Sequence, residues 1–228
     1  MQVYSRTESS AKQLGGKLKT HYTDALEEIN PEADLYIVSV SDSAMKVLSI
    51  RLNLNEQLIV HTSGSVSMDV LRNSSLNYGV LYPLQTFSKS REVEIFEIPI
   101  CVEANTNKNL EKLKGLAGDL SKKVVEINSE QRKLLHLSAV FACNFTNFMY
   151  SIADKVLSEH NLDFNLLRPL ILETALKVQQ VSPAEAQTGP AVRREERIIA
   201  EHLALLKNSP ELQKIYRLLS ERIKGIRE

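Results

Sequence analysis

The polar side chains of one long apolar segment are the first candidates for chemistry. Residues 134–157 are apolar almost all round a helix, a pattern typical of a helix buried in a core or between subunits. His136, Asn144, Asn147 and Ser151 interrupt this segment and, in an uninterrupted α-helix, would lie within an arc of roughly 80°. Because an unpaired buried amide costs about 1–3 kcal/mol, these side chains must find partners.

Two interpretations of these side chains remain open at this stage. They could form a hydrogen-bonded stripe against another helix or a second copy of the chain. They could instead face a ligand cavity, in which His136 would donate a proton, since imidazole titrates near neutrality. Asn144 and Asn147 would then orient a substrate carbonyl or carboxylate.

Short polar stretches also follow four predicted strands. Ligands of open α/β sheets bind beyond the carboxyl ends of the strands, so the four stretches together predict a small-molecule cleft. The alternative is that strand ends simply need turn and capping residues. The stretches are Ser5, Arg6 and Thr7; Ser41 and Asp42; His61, Thr62, Ser63, Gly64 and Ser65; and Pro83, Leu84, Gln85 and Thr86.

The elements that position these residues divide the chain into two parts. The first half alternates short β-rich runs with helical patterns, which indicates a parallel sheet with right-handed crossovers. Helical patterns fill the second half, beginning with a helix of about 30 residues from Ser129. We therefore predict an α/β fold followed by an all-α region, with domains at residues 1–128 and 129–228. The predicted strands are 2–5, 35–40, 58–61, 80–82, 99–102 and 124–127, and the later helices are 129–159, 163–181, 191–207 and 210 onward, with a linker at 182–190.

Arg6 suggests a particular ligand. A guanidinium that follows a strand of a dinucleotide-binding fold can bind the adenosine 2′-phosphate of NADP, although an exposed arginine in a turn has the same position. However, the eight glycines form no GxGxxG turn, which a dinucleotide pyrophosphate normally contacts.

Composition excludes several other classes of protein. The 28 basic and 28 acidic residues give zero formal charge, which argues against a general nucleic-acid binder. No apolar run approaches the length of a membrane span, and no signal peptide is visible. No cluster has metal-ligand spacing, and Cys101 and Cys143 cannot form a disulfide framework, so we expect a cytoplasmic protein without a metal.

Five segments resemble one family of proteins, and the resemblance extends over essentially the whole chain. It is the uncharacterised bacterial family of Rossmann-like proteins with a C-terminal domain of unknown function, whose members are often labelled NADP oxidoreductases. The family is similar to pyrroline-5-carboxylate reductases and deazaflavin-dependent NADP oxidoreductases. The segments are 60–65 (VHTSGS), 79–87 (GVLYPLQTF), 129–132 (SEQR), 135–147 (LHLSAVFACNFTN) and 186–191 (AQTGPA).

The resemblance implies an NADP-dependent oxidoreductase that acts on a small polar metabolite and forms a homodimer through its C-terminal helices. It implies catalytic roles for His136 and Asn144. The alternative is a non-catalytic protein that uses the same scaffold for dimerisation or ligand sensing. The implied cofactor-binding residues are Ser5, Arg6, Thr7, Val40, Ser41, Asp42 and Ser63, and the implied substrate-binding residues are Ser63, Gly64, Ser65, Gln85 and Asn147.

The chain departs from the family pattern in two places. Members of the family normally have a strand, a glycine turn and a helix before the segment that matches residues 2–6, so we expect this chain to lack the first βα unit and to bind NADP weakly. Many relatives carry histidine where this chain has Tyr82, and a phenol is a weaker acid at neutral pH. Proton transfer is therefore expected to involve His136, or a tyrosine whose pKa is altered.

Overall fold

A computed structural model describes residues 1–88 and 91–226 of the chain. These residues form two compact units, Met1–Met149 and Tyr150–Glu228. The first unit contains both sheets, and the second is helical. The predicted division between residues 128 and 129 stays a prediction. By compactness alone, the first unit also includes the greater part of the long helix that begins at Ser129.

The strands of the first unit form two separate sheets. Strands β1 and β2 pair in parallel as a two-stranded sheet, and β3 to β7 form a five-stranded sheet in sequence order. The sequence did not predict β2, because it is only three residues long and buries only Thr23. The strands are β1 (Gln2–Tyr4), β2 (His21–Thr23), β3 (Leu35–Val38), β4 (Leu58–His61), β5 (Asn77–Pro83), β6 (Ile100–Ala104) and β7 (Val124–Glu126).

The larger sheet is mostly parallel, with one antiparallel pair. Strands β3, β4 and β5 are parallel neighbours, and so are β6 and β7, but β5 pairs antiparallel with β6. The sheet is therefore parallel-dominated, as predicted, and the antiparallel pairing of β5 with β6 is a local departure from that pattern. The described part of the connection from β5 to β6 contains a short 3₁₀ turn, Ile95–Glu97, and an isolated bridge between Ser88 and Arg91, rather than the crossover helix that a parallel pair requires.

Alternating side chains of the strands supply the core on both faces of the larger sheet. Leu58 and Val60 of β4 belong to one buried cluster, whereas Ile59 belongs to another. Because successive side chains of a strand point to opposite faces, this division means that both faces are covered. Helix α3 (Asn107–Leu120) contributes Leu113 to the first cluster, and α2 (Asp42–Arg51) contributes Met45 to the second.

The predicted long helix is present, but it is not α-helical throughout. It comprises α4 (Ser129–Ala139), a π-helical segment (Val140–Phe145) and α5 (Thr146–Ser158). A capping box of Asn128 and Gln131 begins α4. Because a π-helix makes i→i+5 hydrogen bonds, it advances by a smaller angle per residue than an α-helix. The 80° arc calculated for His136 to Ser151 therefore does not apply beyond the π-helical segment.

The remaining helices largely follow the predicted pattern. The predicted linker at 182–190 contains a short helix, because Ser182 and Glu185 form a capping box and proline occupies the first turn. The predicted helix at 191–207 begins later, at Glu196, after Arg194 has adopted a positive φ of 55°. The helices not yet given are α1 (Glu8–Leu18), α6 (Arg168–Lys177), α7 (Pro183–Ala186), α8 (Glu196–Leu205) and α9 (Pro210–Lys224), and the other 3₁₀ turns are Leu26–Glu28, Met68–Leu71 and Phe164–Leu167.

Candidate functional site

Two serines and an aspartate form a hydrogen-bonded group at the carboxyl ends of β3 and β4. Asp42 begins α2 directly after β3, and Ser63 and Ser65 follow β4. The Ser63 hydroxyl donates to one carboxylate oxygen of Asp42 at 2.8 Å, and the Ser65 hydroxyl donates to the other. The hydrogen bond from Ser65 is the largest influence on the Asp42 carboxyl and holds its pKa below the usual value. The edge of the sheet therefore presents an ionised carboxylate with a fixed orientation.

Gly64, between the two serines, allows two aromatic rings to approach the same loop. A Cβ at this position would lie 2.6 Å from Nδ1 of His136 and 2.9 Å from Cζ of Tyr82. Both contacts are closer than real Cβ atoms show, so any larger residue would displace one of the rings. The Ser-Gly-Ser sequence thus directs two hydroxyls towards Asp42 while its central residue packs against Tyr82 and His136.

Tyr82 and His136 form a side-chain pair between β5 and α4. Tyr82 lies at the carboxyl end of β5 and His136 in α4, and the phenol oxygen is 3.2 Å from Nδ1. Their rings meet edge to face, with centroids 6.2 Å apart. Burial raises the pKa of the Tyr82 phenol, with a smaller contribution from Cys101, so the hydroxyl keeps its proton at neutral pH.

Arg132 fixes the helix that carries His136. Its side chain is 1% exposed, and the guanidinium forms an ion pair with Glu103 of β6. It also donates to the carbonyl of Val66 at 2.5 Å and to the Ser129 hydroxyl at 3.2 Å. Since Arg132 lies one helical turn before His136, these bonds anchor α4 to both the Gly64 loop and the sheet.

His61 is fully buried at the end of β4 and is held neutral. The backbone N–H of Ser63 donates to its Nδ1 at 3.2 Å, and no described residue hydrogen-bonds to its Nε2. Burial, reinforced by the nearby charge of Arg132, lowers the pKa of His61 to about 4. His61 therefore has a structural role in shaping the loop at neutral pH.

The neutral state of His61 predicts a pH-dependent stability. Its pKa in the folded chain, about 4, is lower than the usual 6.5, so the unfolded chain binds the extra proton first as pH falls. Between about pH 6.5 and pH 4 the folded state should lose about 3 kcal/mol from this group. Urea titrations at several pH values measure the loss. A His61→Asn variant, whose amide oxygen can accept from Ser63, should show a shallower dependence, and an unchanged slope would contradict the assignment.

The structure gathers some of the predicted site residues and leaves others apart. Asp42, Ser63, Gly64 and Ser65 lie in one connected group, and Gly64 links that group to His136. The hydrogen bonds given above for this group do not include the other predicted residues. They are Ser5, Arg6 and Thr7 in the turn after β1; Val40 and Ser41 before α2, where Ser41 caps the helix; exposed Gln85 after β5; and exposed Asn144 and Asn147 beyond residue 139.

Sequence reasoning assigned no role to Arg132 and Glu103, which organise this site. Both residues are polar and lie 29 positions apart, so nothing in their local sequence indicates that they meet. The sequence offered one signal, the Ser129-Glu130-Gln131-Arg132 motif.

Within residues 1–88 and 91–226, no helix has the length and apolar character to span a membrane, and no group of three or more His, Cys, Asp or Glu side chains could hold a metal ion.

The chain is similar to one protein family and to a solved structure. The domain of unknown function DUF2520 matches residues 98–223. A Bacteroides fragilis protein described as a "putative NADP oxidoreductase" is 48% identical, with a TM-score of 0.91 over 98% of this chain and 88% of that one. No curated protein sequence matches the chain.

Two more distant solved structures share the fold. The 1-pyrroline-5-carboxylate reductase of Streptococcus pyogenes is 11% identical, with a TM-score of 0.63 over 98% of this chain and 88% of that one. An imine reductase of Myxococcus stipitatus, solved with NADP⁺, is 17% identical, with a TM-score of 0.57 over 99% of this chain and 84% of that one. These likenesses and the mostly parallel sheet confirm the predicted Rossmann-like class followed by helices.

Proposed function

Because the chain belongs to the DUF2520 family, and its site contains a tyrosine–histidine pair at the strand edge, we propose that it is an NADP-dependent oxidoreductase acting on a small polar metabolite. The observation that carries the proposal is the position of Tyr82 and His136. They meet beyond the carboxyl ends of parallel strands, where ligands of open α/β sheets bind. A histidine there can hydrogen-bond to the substrate atom that gains a proton.

The residues after β1 suit the adenosine end of NADP. Arg6 is exposed and makes no ion pair with any described residue; Ser5 and Thr7 are its neighbours in the sequence, and the Thr7 hydroxyl donates to that of Ser10 at 2.9 Å. A guanidinium can form paired, charge-assisted hydrogen bonds to a 2′-phosphate. We assign Val40, Ser41, Asp42 and Ser63 to the nicotinamide ribose. When bound, NADPH would supply a hydride.

The residues near His136 suit a small polar substrate. The hydroxyls of Ser63 and Ser65 could bind a carboxylate or hydroxyl of the substrate if they exchange their bonds to Asp42. We assign supporting contacts to Gln85, Asn144 and Asn147, whose amides are exposed. Reduction of a C=N or C=O bond is the reaction that such a group of donors serves best.

The preference for NADPH over NADH tests the proposal. Because the sequence has no GxGxxG turn, we expect both dinucleotides to bind weakly, but NADPH should bind roughly tenfold or more tightly, since charged hydrogen bonds contribute about 1.5–3 kcal/mol. Arg6→Ala should abolish that preference while leaving NADH binding unchanged. Fluorescence titration of the reduced nicotinamide measures both affinities.

A matched variant makes this titration selective. Lys12 is another exposed cation, in α1, and Lys12→Ala should keep the preference for NADPH. Equal affinity for the two dinucleotides would contradict the assignment of Arg6. If neither dinucleotide binds at millimolar concentration, the oxidoreductase proposal fails, and the non-catalytic use of the scaffold is favoured instead.

The protein is also proposed to act as a homodimer through the long helix. Five apolar side chains at spacings of three and four residues follow one side of it, and each is between 48% and 66% exposed in a single chain. An apolar patch of this kind marks an association surface. Static light scattering, which distinguishes one chain from two, tests this part of the proposal. The five side chains are Leu134, Leu137, Phe141, Phe145 and Phe148.

A further inference from the structure

The two nitrogens of the His136 ring have different surroundings. Nδ1 lies 3.2 Å from the Tyr82 hydroxyl, whereas Nε2 makes no hydrogen bond to any residue in the described part of the chain. In a neutral imidazole one nitrogen carries the proton and the other accepts a hydrogen bond. The partner at Nδ1 therefore decides which nitrogen can donate to a substrate.

The direction of the Tyr82–His136 hydrogen bond follows from the phenol. Tyr82 is 8% exposed, and burial favours its protonated form. The phenol therefore carries a hydrogen that needs a hydrogen-bond acceptor. His136 Nδ1 is the hydrogen-bond partner of this hydroxyl among the described residues. The phenol is thus the donor and Nδ1 the acceptor, which leaves the ring proton on Nε2.

The surroundings hold both rings in this arrangement. Gly64 packs against Nδ1 and against Cζ of Tyr82, so neither ring can move towards the loop. On the other side, the buried bonds of Arg132 fix the preceding turn of α4. The pair is therefore set by the fold before any ligand binds.

We propose that Tyr82 is a positioning residue, which holds His136 in the Nε2–H tautomer and so makes Nε2 the nitrogen that donates to the substrate. This inference rests on the proposed function for its catalytic meaning. The tautomer itself is a property of the free protein and can be measured without cofactor or substrate.

Nitrogen-15 spectra of the histidine side chains test the tautomer. In the wild-type chain, at a pH where His136 is neutral, Nδ1 should have the shift of an unprotonated, pyridine-like nitrogen and Nε2 that of a protonated, pyrrole-like one. Tyr82→Phe, which keeps the ring but removes the hydroxyl, should move both shifts towards an average of the two tautomers. Gly64→Ala, which forces the rings apart, should have the same effect and provides a second route if one variant folds poorly.

The second unit offers a matched control. His202 of α8 and Tyr216 of α9 form a similar pair, with Nδ1 2.7 Å from the phenol oxygen and the rings edge to face. Tyr216→Phe should alter the His202 signals and leave those of His136 unchanged. A wild-type His136 protonated on Nδ1, or unchanged His136 shifts in Tyr82→Phe, would overturn the inference.

Turnover separates this inference from the proposed function. If both are correct, Tyr82→Phe should lower kcat by about 10- to 100-fold with little change in KM, because only the orientation of a donor is lost. A tautomer that changes as expected in a chain that reduces no substrate would leave the tautomer assignment intact and remove its catalytic meaning together with the oxidoreductase proposal. Unchanged kcat in Tyr82→Phe, in a chain that does turn over, would remove the positioning role.

Discussion

Replacing His136 with glutamine is expected to lower NADPH-dependent turnover by about 10²- to 10⁴-fold, the usual contribution of a positioned acid or base. Glutamine retains an amide that can accept from the Tyr82 hydroxyl, but it has no proton to exchange near neutral pH. Dinucleotide affinity should change little, because the residues assigned to the adenosine end, Ser5, Arg6 and Thr7, lie in a different turn.

Absorbance of NADPH, followed with a panel of small cyclic imines and 2-oxo acids, measures this loss. His202→Gln is the matched control, since it removes the other tyrosine-paired histidine, and it should leave turnover unchanged. Thermal unfolding of both variants should stay close to that of the wild-type chain. If His136→Gln loses stability and turnover together, the histidine is a packing residue and its catalytic assignment fails.

Replacing Arg132 with methionine is expected to destabilise the chain by about 3–5 kcal/mol, as breaking a buried ion pair generally does. The side chains of Arg132 and Glu103 are 1% and 12% exposed, so Glu103 would keep its charge with little water to solvate it. The carbonyl of Val66 would also lose its donor. Urea unfolding measures the change in free energy.

Two further variants separate charge from packing in this region. Lys133→Met breaks an exposed ion pair with Glu130 in the same helix and should cost no more than about 1 kcal/mol. Adding Glu103→Gln to Arg132→Met removes the stranded charge and keeps an acceptor for Ser129, so it should recover part of the lost stability. A double variant no more stable than Arg132→Met would contradict a role for the stranded charge.

The strands and helices with the strongest patterns could be predicted from the sequence. The apolar runs at β3 and β4, alternating with helical patterns, indicated an α/β unit, and the structure confirms those strands and the helices between the strands. Reversal of chain direction between β5 and β6 could not be predicted, because strand pairing depends on the connection and leaves no mark on the strand residues. The π-helical segment was equally hidden, since its residues suit an α-helix.

Some residues of the candidate site could be predicted from the sequence, and others could not. Strand ends gave Asp42, Ser63 and Ser65, because turn position is a local property of the sequence. The ion pair of Arg132 with Glu103 and the contact of Tyr82 with His136 join residues 29 and 54 positions apart, and only the packed fold brings them together. The local sequence pattern therefore predicted the residues at the edge of the sheet, but it could not predict the ion pair and the aromatic contact that hold α4 against that edge.

The π-helical segment at Val140–Phe145 has a consequence for how the long helix can vary. Because a π-helix turns through a smaller angle per residue, this segment takes up roughly one residue more than an α-helix would need, so loss of one residue with a return to α-helical winding would leave the side chains after it pointing in nearly the same direction. The long helix can thus differ by one residue in length at this point while α4 keeps its contacts with the sheet and Phe148, after the segment, keeps its direction.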